Sequence, residues 1–127
     1  MRLKLVIVFI VTLLMMLFGC GNKQDKVLDN VVISYCKALD AGNLDDAISY
    51  LSKAAKQQLD STGGKPTLAQ AVDAFKNRKG LKNIKISKRE VNGPMATVMF
   101  IYNFNDGSTS NDFFPLVKED GKWKISR

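Results

Sequence analysis

Polar and apolar positions alternate with two different periods along this chain. Leu28, Val31, Val32, Tyr35, Cys36 and Leu39 recur at the three- and four-residue spacing of one helical face. Ala41-Gly42-Asn43 is a stop, and Leu44, Ala47, Ile48 and Leu51 form a second short apolar face with Asn43 as its expected cap and Asp45 and Asp46 in its first turn. A further helical segment is expected over Ser52 to Leu59, broken by Ser61-Thr62-Gly63-Gly64. Thr67 and Gln70 have the spacing of a capping box, which predicts a helix with Leu68, Ala71, Val72 and Phe75 inside and Gly80 at its end.

From Leu81 the period becomes two. Ile84 and Ile86 face one way, Asn83, Lys85 and Ser87 the other, and Asn92-Gly93 marks a hairpin turn. Met95 to Phe104 is apolar on both faces, which predicts a central strand covered on both sides. Asp106-Gly107 and Asp120-Gly121 are further turns, bounding strands expected over Asp112 to Lys118 and Lys122 to Ser126. Helices followed by an antiparallel meander make an α+β domain, with N-terminal helices packed on an antiparallel sheet.

Before this pattern starts, 15 of the first 19 residues are hydrophobic. Arg2 and Lys4 precede an apolar stretch from Leu5 to Phe18, and Gly19-Cys20 closes it, which is the layout of a secretory leader. As a helix those 14 residues span roughly 21 Å, short of the ~30 Å hydrocarbon core of a bilayer. Leu17-Phe18-Gly19-Cys20 resembles the lipobox of bacterial lipoproteins. That resemblance implies removal of residues 1–19 as signal peptide, acylation of Cys20 with fatty acids such as palmitate, and a cell-envelope, extracytoplasmic domain held to a membrane by its lipid. Residues 20–25 are then the acylated cysteine and a short tether, and 26–127 the folded domain. With Cys20 acylated, Cys36 has no partner for a disulfide and is expected as a small buried hydrophobe.

The order of about three helices and four antiparallel strands resembles the nuclear transport factor 2-like (NTF2-like) superfamily. So do Tyr35-Cys36-Lys37-Ala38-Leu39, Ala47-Ile48-Ser49-Tyr50-Leu51 and the ending Asp120-Gly121-Lys122-Trp123-Lys124-Ile125. Within it, the chain is similar to small lipoprotein domains of unknown function classed as lumazine-binding-like. The resemblance implies a cone-shaped domain whose sheet curls around the helices, a pocket at the open end in many members, and homodimers that pair through the outer face of the sheet. The apolar outer side of Met95 to Phe104, with Phe113 and Val117 beside it, is consistent with such pairing.

Candidate chemistry is sparse. There is no histidine, which excludes Ser-His-Asp catalysis and His-ligated metals; no metal or other cofactor is expected. Some enzymes of the resembled superfamily use an Asp with Tyr or Arg in the cone, and Tyr35, Tyr102, Asp112 and Arg89 are candidates by residue type alone. No catalytic residue is assigned. Tyr35, Phe75, Tyr102, Phe104, Phe114 and Trp123 are candidates to line a small-molecule pocket, against the alternative that they fill the core. The formal charge of +7 is concentrated in Lys76, Arg78, Lys79, Lys82, Lys85, Lys88 and Arg89, a run without an acid. Such a run supports a helix end and protects a sheet edge, or else faces anionic lipid or wall polymer. Nucleic acid is not expected as a partner, because no aromatic residues interleave with the run and the chain is exported. The expected function is a non-catalytic binding or interaction module, with a cone-pocket small-molecule binder as the alternative and an Asp/Tyr pocket enzyme behind it.

Overall fold

The computed structural model describes residues 23–127. The expected leader, the lipobox and Cys20 lie outside the described residues.

Helix α1 occupies residues 23–40 and buries the expected stripe of Leu28, Val32, Tyr35, Cys36 and Leu39. Residues 23–25, expected in the tether, are already helical; Lys, Gln and Asp are polar but do not oppose helix, so the apolar pattern understates where α1 begins. Gly42, at φ 73°, closes α1 by donating to the Leu39 carbonyl at 3.0 Å. Helix α2 (Leu44–Ser49) follows, with the Asn43 side chain accepting from the Asp46 N–H at 3.3 Å. Helix α3 (Lys53–Ser61) is capped by the buried Ser52 hydroxyl, which accepts from the Ala55 N–H at 3.1 Å.

Helix α4 (Lys65–Asn77) starts earlier than the Thr67/Gln70 spacing predicts. Pro66 sits in its first turn, where its fixed φ suits a helix and its missing N–H costs nothing. Gly64 is the cap, and the Thr67 hydroxyl instead donates to the Thr62 carbonyl at 2.8 Å. Among the described residues no helix is long and apolar enough to cross a membrane.

Four antiparallel strands follow in the order β1 (Leu81–Asn92), β2 (Met95–Phe104), β3 (Thr109–Glu119) and β4 (Lys122–Ile125). β3 begins before Asp112 because Thr109, Ser110 and Asn111 continue the ladder against Asn103, Tyr102 and Ile101; backbone pairing, rather than apolarity, sets that end. Leu51 bridges Ile125 in parallel, with the Ser52 N–H donating to the Ile125 carbonyl at 2.7 Å. The α2–α3 junction thereby acts as a fifth edge contact.

One buried cluster joins Leu28 and Val32 of α1, Ala47 of α2, Ala55 of α3 and Val72 and Phe75 of α4 to the inner face of the sheet. That face presents Val98, Phe100, Tyr102, Phe114, Leu116 and Ile125. The outer face is open: Met95 is 61% and Phe113 51% exposed. β2 is central in the sheet as expected, but only one of its apolar faces is covered, because the helices all contribute to the cluster on the other. Register shifts at Lys82 and Ser87 bulge β1, so residues after Ser87 change faces.

Candidate functional site

Between the inner face of the sheet and helices α3 and α4 lies an open cavity of about 470 Å³. Its walls are mostly apolar, including Leu39, Leu51, Leu59, Leu68 and Phe75. Helical spacing turns Ala55 and Leu59 of α3, and Leu68, Ala71 and Phe75 of α4, toward the sheet. The walls stay apart because small Ala55, Ala71 and Ala74 stand where larger side chains would close the gap.

One side of the cavity is polar. The Tyr102 hydroxyl donates to Asp112 Oδ2 at 3.2 Å, and Arg127 donates through Nη1 to Asp112 Oδ1 at 2.8 Å and to the Phe113 carbonyl at 3.0 Å. The Phe113 N–H also donates to Asp112 Oδ1 at 2.8 Å. Both carboxylate oxygens are therefore engaged. Tyr35 stacks edge-on against Phe114, centroids 5.4 Å apart, and its hydroxyl has no hydrogen bond to any described residue. Among the described residues no buried side-chain oxygen or nitrogen is left unpartnered, and Tyr35 lines the cavity. Burial pushes the Tyr35 phenol up to about 12. It raises Tyr102 as well, and it pushes the Cys36 thiol behind them up to about 12.

Four of the six candidate pocket residues, Tyr35, Phe75, Tyr102 and Phe114, line this cavity. Phe104 and Trp123 do not. Phe104 is buried near Phe75 under the Arg78 guanidinium, 4.8 Å from its ring centre, and Trp123 is buried beneath Lys118, 5.6 Å away. Of the candidate Asp/Tyr/Arg set, Tyr35, Tyr102 and Asp112 come together. Arg89 does not join them; it forms a two-pronged pair with Asp29 of α1 at 2.7 and 2.6 Å. The arginine at the cavity is Arg127, whose position at the end of the chain offers no periodic signal. Among the described residues no group of His, Cys, Asp and Glu fits a metal ion.

The basic run does not make one face. Lys76, Arg78, Lys79 and Lys82 gather near the end of α4 and the start of β1. Lys85 lies on the outer face, and Lys88 pairs with Glu90 at 3.0 Å. The bulge at Ser87 turns Arg89 inward to Asp29.

A family model for a domain of unknown function, DUF4878, matches residues 18–126. The chain belongs to the DUF4878 family. The fold of this DUF4878 domain is NTF2-like: a Campylobacter jejuni protein provisionally named an NTF2-like transpeptidase is similar over 78% of this chain and 96% of its own, at 20% identity and a TM-score of 0.68. RPA3114, a SEC-C motif containing protein from Rhodopseudomonas palustris, is similar over 81% of this chain and 88% of its own, at 12% identity and a TM-score of 0.51. No curated protein matches the DUF4878 chain.

Proposed function

We propose that the protein is a lipid-anchored envelope lipoprotein whose DUF4878 domain binds a small molecule in its cavity without transforming it. The observation that carries this reading is an open, apolar-walled space of about 470 Å³ lined by Tyr35, whose hydroxyl has no hydrogen bond to a described residue. Pockets of this size, mostly apolar with a few convergent polar groups, suit a ligand with an apolar body and one hydrogen-bonding head. Tyr35 would hold the head, and the Asp112–Arg127 pair would fix the polar side.

Catalysis has little support from the same groups. Acyl transfer of the kind named for the Campylobacter protein needs an activated nucleophile. Here the Cys36 thiol is fully buried, with its pKa pushed up to about 12, and the chain has no histidine to activate a hydroxyl. Asp112, the candidate base, already accepts from Arg127, Tyr102 and the Phe113 backbone.

The lipid anchor rests on Leu17-Phe18-Gly19-Cys20. Its consequence is that radiolabelled fatty acid enters the wild type and not Cys20→Ala; label surviving that substitution removes the anchor. Homodimer pairing through the outer face is part of the same reading, supported by Met99 and Phe113 facing each other across β2 and β3 while exposed.

The pocket is tested with 1-anilinonaphthalene-8-sulfonate and by native mass spectrometry of the protein purified from its own membrane. The wild type is expected to enhance the dye's fluorescence or to carry a small molecule into the gas phase. Ala71→Phe, which fills the cavity, should abolish both while circular dichroism stays unchanged. A wild type that does neither refutes the binding reading.

A further inference from the structure

The two ends of the domain expose different surfaces. At one end, α1, α4 and the β2–β3 turn meet. There Asp40 accepts from the Leu81 N–H at 3.0 Å, and Asn105 donates to the Lys79 carbonyl at 2.9 Å. This end carries Lys76, Arg78, Lys79 and Lys82. At the opposite end lie the start of α1 and the β1–β2 and β3–β4 turns. They are held by the Arg89–Asp29 pair and by the Lys118 N–H donating to the Pro94 carbonyl at 2.8 Å. Of the five exposed large hydrophobic residues among those described, three are here: Val27 at 48%, Val91 at 41% and Met95 at 61%.

α1 and β1 run in opposite chain directions, since Asp40 meets Leu81 and Asp29 meets Arg89. From Asp29 back to Lys23 the helix extends about 9 Å. From Arg89 on to Asn92 the strand extends about 10 Å. Both therefore project to nearly the same level. Cys20 precedes Lys23 by three residues, which span at most about 11 Å. An anchor on Cys20 holds the start of α1, and the hairpin tip level with it, at the bilayer surface.

We propose that this end is a membrane-contact surface, in which Val91 and Met95 at the β1–β2 tip and Val27 on α1 rest against the lipid bilayer that holds Cys20. The inference depends on the lipid-anchor reading above. Exposed apolar side chains at an interface gain by partial burial among acyl chains, and the tether makes their insertion an intramolecular event. The same end mixes Lys23, Lys26, Lys88, Lys118 and Lys122 with Asp25, Glu90, Glu119 and Asp120, so the contact is apolar rather than electrostatic. The Lys76–Lys82 cluster, a strand length of about 30 Å away, faces away from that bilayer.

The test uses full-length protein purified from bacterial membranes and reconstituted into phosphatidylcholine and phosphatidylglycerol vesicles. Met95→Cys and Asp106→Cys each carry a bimane label, and unsubstituted protein gives the background, expected to be low because Cys36 is buried. Nitroxide-bearing lipid should quench the label at position 95 at least two-fold and leave that at 106 unchanged, with or without high salt. Equal quenching at both positions, or none at 95, overturns the orientation when mass spectrometry shows Cys20 acylated. A label at 95 shielded from aqueous iodide but unquenched by lipid places a second copy on the tip and equally overturns it. An unmodified Cys20 removes the anchor reading, and this inference with it.

Discussion

The two faces of β2 are built from similar residues and meet opposite fates. Val98, Phe100 and Tyr102 on the inner face are buried beneath the helices, whereas Met95 and Met99 on the outer face are exposed. Side-chain apolarity is thus shared, and the difference comes from where the connections go: the helices precede the sheet in the chain and fold back on one side of it. The inner face owes its burial to this chain alone. Among the described residues nothing covers the outer face.

Breaking this comparison should be easiest at its most buried point. Phe100 is 1% exposed and packs against Tyr102 and Phe114, each 5.0 Å away. Phe100→Ala is expected to cost about 3–5 kcal/mol, and Phe113→Ala, on the other face, less than about 0.5 kcal/mol in the monomer. Urea denaturation measures both. Equal losses would mean that the outer face is also packed.

Alkaline pH separates the faces next. The Cys36 and Tyr35 groups ordinarily ionise near 9.0 and 10.0 and are each held protonated up to about 12 in the folded chain. Between those values the unfolded state has released protons that the native state keeps. Their contribution is intact below about pH 9 and falls as the pH rises toward 12, by roughly 1.4 kcal/mol per pH unit for each group. Cys36→Ala should move the onset of that fall up to about pH 10. Outer-face substitutions should leave the onset in place, as read from urea midpoints across pH.

Much of this division was legible in the sequence. The α1 stripe, the Asn43 cap and the strand bounds of β2 follow from spacing and turn chemistry. The cavity was legible only in part. Aromatic residues flag Tyr35, Phe75, Tyr102 and Phe114, but whether large side chains meet or leave a gap depends on the alanines opposite them, which no local period reports. Arg127 enters through the β4 exit, and Arg89 leaves the expected patch through a bulge at Ser87 that carries no glycine or proline to announce it.

The outer face itself is sharpened by its association state. Pairing through Met99 and Phe113 predicts sedimentation of residues 21–127 as a dimer at micromolar concentration and as a monomer for Phe113→Asp, with the urea midpoint of the monomeric variant close to that of wild type. A monomeric wild type would overturn pairing through this face.

The smallest effects contrast two ion pairs that use adjacent positions of β1, Arg89 on one face and Lys88 with Glu90 on the other. Arg89–Asp29 points inward, with side chains 33% and 21% exposed, whereas Lys88–Glu90 is 62% and 58% exposed. The Arg89 guanidinium is also held more firmly protonated by its hydrogen bonds to Asp29. A bidentate, half-buried pair loses less to solvent screening and to side-chain entropy than an exposed one. Double-mutant cycles with Arg89→Gln and Asp29→Asn should give a coupling of about 1 kcal/mol, and the same cycle on Lys88 and Glu90 a value near zero. Ser87 is the extra residue of the bulge, since Ile86 pairs with Phe100 and Lys88 with Met99. Deleting it should restore plain alternation with Arg89 still opposite Val98 and facing inward, so the first coupling should survive. A coupling lost on the deletion would mean that the local twist of the bulge, rather than the register of β1, aims this arginine at Asp29.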